Sequence, residues 1–283
     1  MKVLPFKIPK RPDEKLILQI DKGKRFYDKL HQHEEIQLSY IVSGKGKLLV
    51  GNTVSSFKTG DFIALGSNLP HLFLSTELSI DSHMISLFFT KNSFGEFFFE
   101  NQEMESIHSI WANLDHGFIL TDNTSDIHSL FTNLKNKNKF QLFIKLLELL
   151  QILAERKKQG IINSPISFKI NKNHGERLQI VFDYVMQNFQ NEIRLGQVAN
   201  QIHMSKNAFC RFFKQRTNKT FFQFIAEIRI QHACELIREH PEISILEVSI
   251  QSGYNTVSNF NRHFREIQEM NPSEYRKKYS PKY

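Results

Sequence analysis

The chain has 283 residues, 40% of them hydrophobic, and a formal charge of +8. That length favours two domains over one, and that charge favours a polyanionic partner such as nucleic acid. Two cysteines exclude a disulfide framework, and no stretch nears the roughly 18 apolar residues needed to cross a bilayer, so a soluble cytoplasmic protein without a membrane partner is expected.

Residues 1–90 read as β structure. Short apolar runs such as "IQLSYIV", "DFIAL" and "MISLFFT" are split by "SGKG", "KTGD" and "GSNLP", the spacing of a sandwich or barrel. The "KIPKR" segment, 7–11, reads as disorder or as a basic arm. Glu34 and Glu35 read as a solvated pair, and "GKG", 44–46, as a hairpin turn. Residues 91–160 change to helical period. Within them "NKFQLFIKLLELLQILAERKK" places Phe140, Ile144, Leu147, Leu150 and Ala154 on one stripe. That stripe serves as core, as a dimer contact, or as both. Residues 161–175, "IINSPISFKINKNHG", lose the period and read as a linker.

From 176 to 283 the pattern is helical and repeats itself. Ile193, Leu195 and Val198 answer Ile243, Ile245 and Val248 at a shift of 50. After a turn the shift is 51, matching Phe209 with Phe260, Arg211 with Arg262, Phe213 with Phe264, and Phe224 with Tyr275. The connecting "QFIAEIRIQHACELIREHPE" reads as one long helix ended before Pro241, with Cys234 in its core. At about 100° per residue, each second helix puts its Phe side opposite a polar side. The polar side holds Asn207, Cys210, Arg211 and Lys214 in one copy, and Thr256, Ser258, Asn259, Arg262 and Arg265 in the other. Amides, hydroxyls and guanidinium groups of this kind read base edges and bind phosphates in the major groove of duplex DNA. Any surface helix has a polar outer face, so one copy alone would be weak. Two copies in register are a stronger signal.

The run "SGY...SNFNR.FR" over 252–265, followed by "NPSEYR" over 271–276, resembles the AraC/XylS family of bacterial transcription regulators. The resemblance implies two helix-turn-helix units joined by a long helix, binding adjacent major-groove segments, with RNA polymerase as a further partner. Where the family has Gly after each second helix, this chain has Asn218 and Glu269. Glu fits a left-handed residue poorly, so the last turn is expected to be built differently.

"LHQHEEIQLSYIVSGKGKLLV…GDFIALGSNLPH" likewise resembles the cupin-type sensory domain of such regulators. The expected fold class is therefore α+β: a cupin-like β-barrel (1–90), flanking helices that pack on the barrel and offer a dimer contact (91–160), a linker (161–175), and an all-α domain of two helix-turn-helix units (176–283). The cupin pattern puts His31, His33, Gln37 and His71 at ligand positions, but Gln37 stands where a metal-binding cupin has Glu. Losing the anionic ligand favours a small-molecule effector, so no metal and no other cofactor are expected. The chain is expected not to be an enzyme. The alternative is a metal-dependent cupin enzyme fused to a DNA-binding domain.

Overall fold

The computed structural model describes residues 4–5, 8, 14–51, 53–75, 81–156, 160–161 and 172–279. The basic arm at 7–11 lies outside them but for residue 8, and the expected linker, 161–175, is described only at 161, which ends a short strand, and at 172–175, which are helical rather than linker. The chain divides into two compact units, Met1–Gly175 and Glu176–Tyr283.

The first unit is built on strands β1 (Leu4–Pro5), β2 (Ile17–Gly23), β3 (His31–Gln32), β4 (Ile36–Ser43), β5 (Gly46–Val50), β6 (Thr53–Phe57), β7 (Phe62–Leu65), β8 (His71–Ser75), β9 (Ser82–Phe89), β10 (Phe118–Leu120) and β11 (Gly160–Ile161). They form a five-stranded sheet of order β1-β3-β8-β5-β6 and a six-stranded sheet of order β11-β10-β7-β4-β9-β2. Among the described residues neither order closes on itself. The expected barrel is therefore corrected to two open sheets packed face to face. Between them lie Leu48, Val50, Phe57 and Phe73 from one sheet and Ile41, Ile63, Leu65, Met84 and Ile119 from the other.

The outer face of the larger sheet carries Leu38, Tyr40, Phe62, Ala64, Leu87, Phe89 and Phe118. Helices α1 (His108–Leu114), α2 (Ser125–Thr132) and α3 (Lys139–Glu155) cover it. Both faces of β7 are thus buried, which is why "FIAL" is apolar throughout rather than alternating. Two expectations need correcting. The stretch read as helical supplies strand β10, which pairs antiparallel with β7. The buried stripe of α3 is Leu142, Leu146, Leu149, Leu150 and Leu153, whereas Phe140 and Ile144 are 70% and 40% exposed. Apolar residues lie on nearly every side of α3, so the period alone does not say which side meets the sheet.

The second unit is all helical: α4 (Lys172–Asn188), α5 (Leu195–Gln201), α6 (Lys206–Thr217), α7 (Phe221–Glu239), α8 (Ile245–Gln251), α9 (Val257–Gln268) and α10 (Pro272–Tyr279). The helix α7 starts on a Thr220–Gln223 capping box and ends before Pro241. The pairs α5–α6 and α8–α9 are the two copies of the repeat. Phe209, Phe213, Phe260 and Phe264 are all fully buried. Phe213 meets Phe224 and Phe264 meets Tyr275, both at ring centroids of 5.5 Å. Each such Phe contributes about 1.5–3 kcal/mol by leaving water.

Candidate functional site

Burial of the two phenylalanine pairs fixes how α6 and α9 are turned about their axes. The polar side of each helix is left outward. Asn207, Cys210, Arg211 and Lys214 are exposed on α6, and Ser258, Asn259, Arg262 and Arg265 on α9. Both helices begin on a hydroxyl cap: Ser205 Oγ accepts from the Ala208 amide, and Thr256 Oγ1 accepts from the Asn259 amide. Thr256, expected at the reading face, is thus engaged in starting α9. Both helices also end alike. Asn218 and Glu269 stand in the left-handed region at φ 53° and 57°, each donating its amide to the carbonyl four residues back, Lys214 and Arg265. The expectation of a different last turn at Glu269 is corrected: packing of the following Met270 and Tyr275 into the core imposes the same turn despite the side chain.

The two faces differ in charge. The helix α6, "KNAFCRFFKQRT", bears Lys206, Arg211, Lys214 and Arg216 and no carboxylate. On α9 the cations Arg262 and Arg265 stand beside Glu266, among Ser258, Asn259 and Asn261. Arg262 donates to Glu266 Oε1 at 3.1 Å and to His263 Nε2 at 3.0 Å. Burial first, and then the Arg262 charge, hold His263 below the ordinary histidine pKa. Its Nε2 therefore stays unprotonated and accepts from the guanidinium, leaving Nδ1–H to donate to Tyr254 Oη at 3.1 Å. His263 was missed in the sequence because its role depends on Tyr254 arriving from the preceding turn. The ion pair with Glu266 is exposed and weak, so it can open when a phosphate or base edge approaches.

A second residue that the pattern did not single out is Arg229, in the middle of α7. It donates to the carbonyls of Phe189 and Asn191 at 2.7 and 2.8 Å and lies over the Tyr254 ring. One guanidinium thus ties the end of α4 to the turn of the second helix pair. In that turn Gly253 has φ 82°, and a Cβ there would lie 2.6 Å from the Phe189 carbonyl oxygen, so only glycine fits.

In the first unit His31, His33, Gln37 and His71 do come together. His31 and His71 face each other across the β3–β8 pair, and Gln37 lies on β4 with its Oε1 3.2 Å from His33 Nε2. Burial depresses all three imidazoles, His31 to about 4, so they are neutral near pH 7. Gln37 continues through Ser39 to Ser86 as a polar chain between the sheets. His31 and Gln37 also line a cavity of about 410 Å³ with Asp21, Arg25, Tyr27 and Phe88. Glu35, expected in solvent, is 5% exposed. Among the described residues no helix is long and apolar enough to cross a membrane.

Fold and site together define a two-unit chain whose second unit is a duplicated helix-turn-helix domain presenting two outward polar faces. Residues 198–278 match a helix-turn-helix domain family. The chain is 26% identical over 265 residues to the HTH-type transcriptional regulator YdeC of Bacillus subtilis, covering 89% of this chain and 87% of that protein. It is 23% identical to the HTH-type transcriptional activator RhaR of Mannheimia succiniciproducens, covering 89% and 88%. Among solved structures, ToxT of Vibrio cholerae aligns over 95% of this chain and all of that one at 15% identity. Its TM-score of 0.37 is too low to speak for the arrangement of the chain.

Proposed function

We propose that the chain is a sequence-specific DNA-binding transcription regulator of the AraC/XylS type, acting as an activator and without covalent chemistry. In this reading α6 and α9 enter successive major-groove segments about one helical turn, roughly 34 Å, apart. The observation that carries it is the duplication itself: the same buried Phe pair, the same hydroxyl cap and the same left-handed end turn a polar face outward twice. A DNA-coating protein without sequence preference fits less well. Residues 176–283 hold 15 Lys and Arg against 11 Asp and Glu, a net +4, which is modest for a binder of shape alone.

The charge difference between the faces divides the work. The cations of α6 anchor phosphates and supply salt-dependent affinity. The amides, hydroxyl and guanidinium of α9, at Ser258, Asn259 and Arg262, discriminate bases. The first unit takes an effector at the cavity beside His31 and Gln37, and the exposed Phe140 and Ile144 of α3 join two copies. Such an effector acts only if it binds one arrangement of the units more tightly than another. RNA polymerase is the implied partner and the cytoplasm the implied compartment.

The test is selection of binding sites from random duplex DNA, with the full chain and with residues 176–283. The expected product is a site with one well-conserved short block, read by α9, and a weakly conserved segment under α6 about one helical turn away. A pool that stays random after repeated rounds refutes the reading.

A further inference from the structure

The two outward arginines of the repeat differ in what stands behind them. The turns before α6 and α9 correspond residue by residue. His203 and Gly253 both lie in the left-handed region, and the amides of Met204 and Tyr254 donate alike to the carbonyls of Ala199 and Ser249. Tyr254 therefore occupies the place of Met204. On the helices Arg262, His263 and Glu266 occupy the places of Arg211, Phe212 and Gln215. The second copy thus has a hydroxyl, an imidazole and a carboxylate where the first has a thioether, a phenyl ring and an amide.

The hydroxyl and the imidazole form a chain that ends on Arg262. Tyr254 is buried, its ring 5.4 Å from that of Phe260, with the Arg229 guanidinium over it at 5.6 Å. Arg229 is itself fixed by the carbonyls of Phe189 and Asn191. His263 bridges the fixed Tyr254 Oη, 3.1 Å from Nδ1, and an Arg262 Nη2, 3.0 Å from Nε2. A guanidinium only donates, so Nε2 must accept. The tyrosine oxygen selects that tautomer by accepting from Nδ1–H. Of the five N–H donors of Arg262, His263 and Glu266 engage two, and three remain for a base edge.

We propose, resting on the reading of α9 as the base-discriminating helix, that Tyr254 and His263 are positioning residues for base choice, holding the Arg262 guanidinium in one orientation. An arginine without such a backing, as in the first copy, can exchange a wrong base for a nearby phosphate and lose little. A held one keeps its donors aimed at the wrong base, where they go unpaired. Tyr254 does this from inside the fold, without touching DNA.

The hold depends on a proton. His263 faces Arg262 and Glu266 on its own helix, Arg229 from α7 and Tyr254 from the turn, and burial first, then Arg262, keeps it neutral near pH 7. Acid that protonates the ring sets Nε2–H against the guanidinium and ends the bond. Base choice should therefore weaken below about pH 6.5. Glutamine at 263 offers an oxygen near the place of Nε2 and does not titrate.

The test titrates full-length native chain, Tyr254→Phe, His263→Phe, His263→Gln and Arg262→Ala at one salt concentration, at about pH 7.5 and about pH 5.5. The duplexes are the selected site, the same site with each other base pair at the position that Arg262→Ala relaxes, and a scrambled sequence. At the higher pH, Tyr254→Phe and His263→Phe should lose about three- to tenfold of the native base preference, with scrambled DNA bound within about twofold of native. His263→Gln should keep the preference at both pH values, whereas the native chain loses it at the lower one. If Tyr254→Phe melts lower than native, His263→Phe against His263→Gln decides alone. A preference that Arg262→Ala removes but Tyr254→Phe and His263→Phe leave intact overturns the proposal and spares the reading of α9. So does a preference that falls with acid equally in His263→Gln. A native chain with no base pair sensitive to Arg262→Ala overturns both.

Discussion

Glu269 occupies a conformation that its side chain opposes, so replacing it with glycine should stabilise the second unit. The residue ends α9 at φ 57° and ψ 15° and is exposed. A left-handed non-glycine residue costs about 1–2 kcal/mol. Glycine gives back roughly 0.5–1 kcal/mol because it is freer in the unfolded chain. The net expectation for Glu269→Gly is a gain of about 0.5–1 kcal/mol, or about 2–6 °C in the Tm of a unit this size. Glu269→Ala separates backbone from side chain: alanine meets the same opposition and should leave stability within about 0.5 kcal/mol. Asn218→Gly, at the equivalent end of α6, should gain less, because asparagine tolerates the left-handed region. Urea unfolding of residues 176–283 measures all three. Should Glu269→Gly lose 1 kcal/mol or more, the side chain contributes an interaction that outweighs backbone strain, and the reasoning is wrong.

Gly253→Ala should destabilise the same unit by about 2–3 kcal/mol, since it meets both the left-handed penalty and a main-chain oxygen. A loss under 1 kcal/mol in the same unfolding assay would mean that the turn yields easily. Self-association through α3 predicts that Phe140→Ser together with Ile144→Ser weakens dimerisation at least tenfold, read by sedimentation over a range of concentrations. A native chain that stays monomeric at the highest concentration removes the dimer. In the second helix pair, His263→Ala should weaken DNA binding less than Arg262→Ala, because it only loosens one side of the guanidinium, and salt-matched titrations of the two variants rank them.

Much of the second unit was legible because its signals are local and occur twice. The Phe spacing in α6 and α9, the shift of 50 turning to 51, and Pro241 closing α7 are all readable from neighbours in sequence. The end of α9 was misread because local propensity at Glu269 yields to packing of Met270 and Tyr275. The first unit was less legible. Its second sheet recruits Phe118–Leu120 and residues 160–161 from beyond the apparent β region, the first pairing with β7 and the second with β10, partners that the period of those segments does not reveal. The burying side of α3 is chosen by the sheet beneath it. At the histidines, sequence brings His31 and His33 within two residues of each other but not their hydrogen bonds. The orphaned His71 Nε2 and the buried Glu35 arise from long-range pairing.

The central claim is that α6 and α9 face one duplex with different tasks. It is tested most directly by titrating the native chain, Arg211→Ala, Arg262→Ala and the double variant against the selected site and a scrambled duplex at several salt concentrations. The account predicts that Arg262→Ala costs about 1–3 kcal/mol on the selected site, relaxes base choice at one position, and leaves scrambled DNA nearly unchanged. Arg211→Ala should weaken both duplexes alike and lower the salt slope by about 1. Equal affinity of all four proteins for the selected site would contradict it.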